Sequence, residues 1–159
     1  GPTPRDDAAL CALRPNVLFV HGGFDGTMRL ADSWLGMVDW ELQTVQWQPI
    51  IASSLKASEP CARRRHAVVA VSKNCVLLYG GEAEGYPSIL DDTWACHLDN
   101  DSRCIWRLLA TVGPQRQGHS LHSLAGRVLL VGHNEPTFYL LQHRNSEAWK
   151  LLGRLPSAR

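Results

Sequence analysis

Short runs of apolar residues recur along the chain, separated by residues that favour turns. In the middle third, His66–Val71 and Val76–Tyr79 are almost continuously apolar. A strand with one exposed face would alternate apolar and polar positions, so continuous apolarity predicts burial of both faces. Two more strands are predicted near Thr93–Leu98 and Cys104–Leu109, with turn residues between them. This part of the chain therefore predicts a four-stranded sheet covered on both sides.

The pattern recurs three times, at intervals of just over 50 residues. Each copy has an apolar run that ends in glycine, as in Val17–Gly23, Val76–Gly81 and Val128–Gly132, and the third copy has lost the second glycine. An Asp-x-Trp follows in two copies, a further Trp follows in all three, and a Pro and an Arg precede each copy. The repeated positions are Gly22, Gly23, Gly80, Gly81 and Gly132, then Trp34 and Trp94, then Trp47, Trp106 and Trp149.

The order of these features resembles the kelch repeat, whose period is about 50 residues. The resemblance covers nearly the whole chain, and it rests on several features that recur in one order. It implies an all-β fold of kelch-type β-propeller blades, about three four-stranded blades that form a partial propeller. It also implies that the chain is a rigid platform that binds another protein.

The repeat sets the expected boundaries. We expect an N-terminal extension or tag remnant at 1–3 and kelch repeats over 4–159. The blades are expected at about 4–59, 60–113 and 114–155, with the start of a further repeat at 156–159. Because each blade buries its faces on its neighbours, we expect the remaining blades or another chain to cover the two open faces.

Composition narrows the function classes. Hydrophobic residues make up 45% of the chain, which excludes a disordered segment, and the formal net charge is +1. A charge so close to zero gives no general attraction to nucleic acid or to a membrane surface. The five cysteines are odd in number and include no CxxC, which argues against a disulfide framework and a zinc site and favours the cytosol or nucleus.

No set of residues with catalytic spacing is found. His119 and His122 fall on opposite faces of a predicted strand, which is wrong for one metal ion. His66 and His119 recur at corresponding positions, so they are interpreted as structural. Asp91 and Asp92 are interpreted as turn residues at the start of a strand. We therefore expect no enzyme activity, no metal and no cofactor; the copper site of kelch-type oxidases finds no matching positions here.

The resemblance implies that the loops after the glycine pair and the connections between blades emerge on one face and meet the partner. Those loops are expected at 24–29, 82–87 and 134–136. Arginine and tyrosine are enriched at binding hot spots, so these residues predict a site for an acidic or phosphorylated segment. The alternative is that one Arg is structural and the others are simply solvated. The predicted partner-binding residues are Arg29, Arg63, Arg64, Arg65, Tyr86 and Arg116.

Three function classes remain open. The first is a protein–protein interaction module. The second is the substrate-recognition region of a cullin-type ubiquitin ligase, of the F-box–kelch or BTB–kelch kind. The third is a non-catalytic domain of an enzyme, or a kelch-type oxidase. Trp40 lies outside the repeat, and a role in packing is favoured over a role as a surface anchor.

Overall fold

The computed structural model describes residues 1–52, 59–101, 103–110, 113–132, 137–142 and 148–154. Over these residues the chain is all-β, without a helix, which confirms the predicted fold class. The strands are β1 (Ala9–Arg14), β2 (Val17–Phe24), β3 (Arg29–Asp39), β4 (Thr44–Pro49), β5 (Ile51–Ala52), β6 (Arg63–Arg64), β7 (Ala67–Ser72), β8 (Cys75–Ala83), β9 (Ile89–Leu98), β10 (Arg103–Ala110), β11 (Ser120–Leu124), β12 (Arg127–Val131), β13 (Thr137–Gln142) and β14 (Ala148–Arg154).

Three sheets, built mainly of antiparallel strand pairs, follow one another along the chain. The first has the order β1-β2-β3-β4 and the third has the order β11-β12-β13-β14. The second is built on β7, β8, β9 and β10, each paired with the next. Sheets of four consecutive antiparallel strands are consistent with the blades of a partial propeller.

Two short strands extend the second sheet. β6 pairs with the far end of β8, so that Arg63 lies opposite Ala83. β5 comes from the connection after the first sheet and pairs in parallel with β10, with Ile51 opposite Arg103. The second sheet therefore contains residues that belong, in sequence order, to the first unit.

Apolar side chains fill the spaces between neighbouring sheets. Val76 and Leu78 of β8 belong to a cluster shared with the first sheet. Leu77 and Tyr79, which alternate with them, belong to a cluster shared with the third sheet. Because alternate residues of a strand point to opposite faces, the central sheet buries both of its faces. This explains the continuous apolarity of β8.

The outer face of the first sheet is only partly covered. Trp34 and Trp47 are half-buried there, and Leu10 is 57% exposed. In the second sheet the corresponding residues are Trp94 and Trp106, which are buried against the first sheet. Tryptophan at these two repeat positions is thus a core residue in the second sheet, where the first sheet covers it, and only half-buried in the first sheet.

The glycine pair lies where chains approach closely. Gly80 and Gly81 have φ values of 60° and 98°, which residues with a side chain rarely adopt. A Cβ on Gly80 would stand 2.7 Å from the carbonyl oxygen of Arg116, and one on Gly81 would stand 2.6 Å from Cβ of His66. Only glycine allows the next connection to pass over this corner.

The prediction that Trp40 packs in the core is wrong, because its side chain is 70% exposed. It lies in the turn between β3 and β4, beyond the last paired residues, where no neighbouring sheet can cover it. Its indole Nε1 donates to Oδ1 of Asn16 at 2.9 Å. The loop expected at 134–136 and the repeat start expected at 156–159 lie outside the described residues.

Candidate binding face

The connections between sheets lie side by side at one end of the molecule. We call this end the loop face; it comprises 4–8, 24–29, 61–66, 82–88 and 114–119. The backbone amide of Arg65 donates to the carbonyl of Asp7 at 3.0 Å, and the amide of Gly118 donates to the carbonyl of Arg65 at 2.7 Å. These bonds tie the entry segments of the three sheets into one row.

The row depends on an unusual backbone conformation that recurs in each unit. Asp7, Arg65 and Gly118 have φ values of 54°, 55° and 64°. This left-handed region favours glycine, and the third unit has glycine at this position. The first two units hold the same conformation with side chains present.

Arg63 is fully buried and serves the interior of the second sheet. Its Nη1 and Nη2 each lie 2.7 Å from the carboxylate of Asp92, and Nη1 also donates to the carbonyl of Gly80 at 2.9 Å. The same carboxylate accepts from the indole of Trp94 at 2.6 Å. The Asp-x-Trp and the Arg of the repeat therefore form one hydrogen-bonded unit, and Arg63 has no exposed surface to offer a partner.

Arg116 occupies the same position in the third sheet and is also buried. Its Nη1 donates to the carbonyl of Gly132 at 2.5 Å, and its Nη2 contacts the hydroxyl of Thr137. The guanidinium carbon lies 5.0 Å from the ring centre of Tyr139, which takes the place of the missing tryptophan. Arg116 therefore holds the third sheet together from within.

Arg29 and Arg64 meet at a carboxylate that links two sheets. Nη2 of Arg29 lies 2.5 Å from Glu82, and Nε of Arg64 lies 3.1 Å from the same side chain. The hydrogen bond from Arg64, assisted by Arg29, holds the pKa of the Glu82 carboxyl below its usual range. Arg29 also lies 3.6 Å from Glu84. This group joins the loop after β2 to the end of β8.

Arg64 also covers an aromatic ring. Its guanidinium carbon lies 5.3 Å from the ring centre of Phe24, at the end of β2. Arg65, the next residue, turns the other way and pairs with Asp7 at 3.0 Å. The three consecutive arginines thus have three separate partners.

Charge on the loop face is close to balanced. Arg5 is paired with Asp32, and the three other arginines that keep some exposure, Arg29, Arg64 and Arg65, are paired with Glu82 or Asp7. Sequence reasoning did not anticipate that Glu82 and Asp7 supply these carboxylates, because they are distant in sequence from the arginines that they pair with. The loop face therefore does not present a free positive patch.

Two large side chains on the loop face are exposed beside these ion pairs. Tyr86 is fully exposed and Met28 is 54% exposed. The loop that carries Met28 is ordered by Asp25, whose carboxylate accepts from the amides of Thr27 and Met28 at 2.8 and 2.9 Å. The amide of Met28, with that of Thr27, holds the pKa of Asp25 below its usual range. Sequence reasoning identified Tyr86 but did not single out Met28.

The described residues show no group of three or more His, Cys, Asp or Glu side chains placed to hold a metal ion. Within the same residues no helix is long and apolar enough to cross a membrane. All five cysteines are free thiols.

Comparison with known proteins gives one informative similarity. The chain is 27% identical over 160 residues to an F-box/kelch-repeat protein of Arabidopsis thaliana. The match covers 94% of this chain and 32% of the relative, so the chain spans about a third of the length of that protein. No protein-family profile matches the chain. The similarity and the all-β sheets together are consistent with a kelch-like fold.

Proposed function

We propose that the chain is a protein–protein interaction module that binds its partner through the loop face. The observation that carries this proposal is the pair of exposed side chains, Tyr86 and Met28, above a base fixed by the Arg29–Glu82–Arg64 contacts. Tyrosine presents a large contact area at a small entropic cost, and a rigid base reduces the ordering needed on binding. The similarity to an F-box/kelch-repeat protein supports the same class of function.

The partner segment should combine an apolar anchor with polar groups. An acidic or phosphorylated segment would have to exchange with Glu82 and Asp7, which already pair with the arginines. We therefore propose that such a charge contributes mainly to the association rate and its salt dependence, while Tyr86 and Met28 supply most of the affinity.

A more specific version is that the chain is the substrate-recognition part of a cullin-type ubiquitin ligase. The name of the Arabidopsis relative, and the 94% coverage of this chain in that match, favour this version. The free thiols of all five cysteines fit a reducing compartment, for which we propose the cytosol or nucleus. Co-purification of the full-length gene product with a cullin adaptor tests the ligase assignment, and absence of both an F-box and a BTB segment from that product would refute it.

The binding face is tested with two exposed aromatic residues at opposite ends of the molecule. Tyr86→Ala should weaken partner binding at least tenfold, whereas Trp40→Ala should leave it unchanged, because Trp40 lies in the turn between β3 and β4. Both variants remove an exposed ring, so neither should change the unfolding midpoint greatly. If Trp40→Ala abolished binding and Tyr86→Ala did not, the opposite end would be the binding surface.

A further inference from the structure

Two buried histidines meet at the boundary between the first and second sheets. Nδ1 of His21, near the glycine pair of β2, lies 3.1 Å from Nε2 of His66, at the entry to β7. His21 is completely buried, and His66 is 5% exposed. The ring of His21 also stands edge-on to Trp106 of β10, with 5.3 Å between ring centres. We call His21 and His66 the histidine pair.

The corresponding position at the next boundary is occupied differently. Tyr79 stands there, between His119 and Trp149, with ring centres 5.4 and 4.8 Å away. Its hydroxyl donates to the carbonyl of Pro114 at 2.7 Å, and its own carbonyl accepts from Nε2 of His119 at 3.1 Å. The first boundary therefore has the imidazole of His21 at the position where the second has the phenol of Tyr79. A phenol does not gain a positive charge in acid.

A residue shortly before the buried arginine also differs between the two units. Gly113 lies against Tyr79, and a Cβ there would collide with the tyrosine hydroxyl. In the preceding unit the corresponding residue is Pro60, which is buried. The residue at this position thus differs between the two units, as does the side chain of β2 and β8 at the boundary.

The histidine pair holds together through a single shared proton. One of the two facing nitrogens must carry hydrogen and the other must accept it. The remaining nitrogens, Nε2 of His21 and Nδ1 of His66, are buried and have no hydrogen-bond partner. A further proton on the accepting ring would place a donor against a donor, and one on the donating ring would put a charged N–H on a buried nitrogen that has no acceptor.

The charged surroundings add to this effect. The pKa of His21 is lowered to about 3, mainly by burial. The positive charge of Arg63 lowers this pKa as well, the negative charge of Asp32 raises it, and the positive charge of Arg5 has a smaller lowering effect. Burial likewise lowers the pKa of His66 well below its usual value, followed by the effects of His21, Arg63 and His119. The net environment disfavours a charged ring at either position.

We propose that the histidine pair makes the boundary between the first and second sheets acid-labile, so that it opens as the pH falls through the ordinary titration range of histidine. Opening would separate Arg29 from Glu82 and so divide the loop face. The inference concerns the boundary itself and does not require the partner of the loop face to be known.

The direction of the pH effect on opening follows from proton binding. Above pH ~6.5 the rings are neutral in both the closed and open states, so the boundary is fully stable. Below this pH the rings bind protons only when the boundary opens, so the opening equilibrium rises as the pH falls. At pH 5 each ring that titrates normally in the open state should raise the opening equilibrium about thirtyfold.

The test compares hydrogen exchange in β1 and β2 at pH 7.5 and 5.0, corrected for the intrinsic pH dependence of exchange. In the wild type, opening should increase at least thirtyfold at the lower pH, and His21→Phe should reduce this increase by about thirtyfold. His122→Phe is the matched control, since His122 is exposed on the third sheet and should leave the pH response unchanged. An equal response in the wild type and in folded His21→Phe overturns the proposal.

A second measurement applies if His21→Phe does not fold. The ring resonances of His21 and His66 in the wild type can be followed by NMR over the same pH range. Rings that stay neutral in the closed state at pH 5 support the proposal. A midpoint near 6.5 in the folded protein, without loss of the boundary, overturns it.

Discussion

Replacing Arg63 by alanine should destabilise the second sheet severely. The guanidinium has no exposed surface, and it makes two 2.7 Å contacts with Asp92 as well as a 2.9 Å bond to the carbonyl of Gly80. Asp92 is itself only 16% exposed, so the variant leaves a carboxylate with little access to water. Breaking a buried ion pair in this way typically costs about 3–5 kcal/mol.

Arg5 provides a matched control within the same molecule. It makes the corresponding contacts in the first sheet, with Asp32 at 2.6 and 3.0 Å and with the carbonyl of Gly22 at 3.0 Å. Asp32 is 42% exposed, so water can replace part of what the arginine supplied. We expect Arg5→Ala to cost about 1–2 kcal/mol.

The assay is equilibrium unfolding in urea, followed by circular dichroism and by tryptophan fluorescence, with free energies from linear extrapolation. Arg63→Lys should recover only part of the loss, because an ammonium cannot reproduce the planar fork that meets Asp92. Equal losses for Arg63→Ala and Arg5→Ala would refute the reasoning, since burial of the carboxylate would then not decide the cost.

Three further outcomes are expected. Trp94→Ala should lower the free energy of unfolding by about 3–5 kcal/mol, and Trp34→Ala clearly less, because the first indole is buried between sheets and the second is half-buried. Thermal unfolding measures both variants, and equal losses of stability would contradict this. Gly80→Ala should lower the unfolding midpoint strongly, since its Cβ would meet a carbonyl oxygen at 2.7 Å and its φ is +60°; an unchanged midpoint would mean that the corner can relax. Glu82→Gln should remove a small stabilising contribution that is present at neutral pH and is lost as the pH falls through the lowered pKa of Glu82, so the difference from wild type should vanish in acid; a difference that persists at pH 2 would assign the effect to packing.

The strands could be predicted because their cause is local. The continuous apolarity of Val76–Tyr79 reflects burial on both faces, and the structure divides those residues between two clusters. The glycine corner at Gly80 depends on a backbone conformation that few residue types favour. Such features depend on adjacent residues, so they can be predicted without knowing which distant residues they contact.

The roles of the three consecutive arginines could not be predicted in the same way. Arg63 is buried, Arg64 is half-buried and Arg65 is exposed, although they are neighbours in sequence. Their partners lie 29, 18 and 58 residues away, so only the folded chain decides which charge is used internally. One signal was present in the sequence: an Arg recurs at the position of Arg63 in every unit, as expected of a structural residue.

The pairing of β5 with β10 has a practical consequence for dissecting the chain. Ile51 and Ala52 lie in the connection that follows the first sheet, yet they hydrogen-bond in parallel to Arg103 and Cys104 of the second. An expression fragment that starts at Pro60 would follow the sequence repeat and still expose the outer edge of β10. Bare strand edges invite pairing with other chains. Fragments and chimaeras of this protein should therefore keep residues 51–52 with the second sheet. Their boundaries then fall before residue 51, several residues ahead of the boundary of the sequence repeat at Pro60.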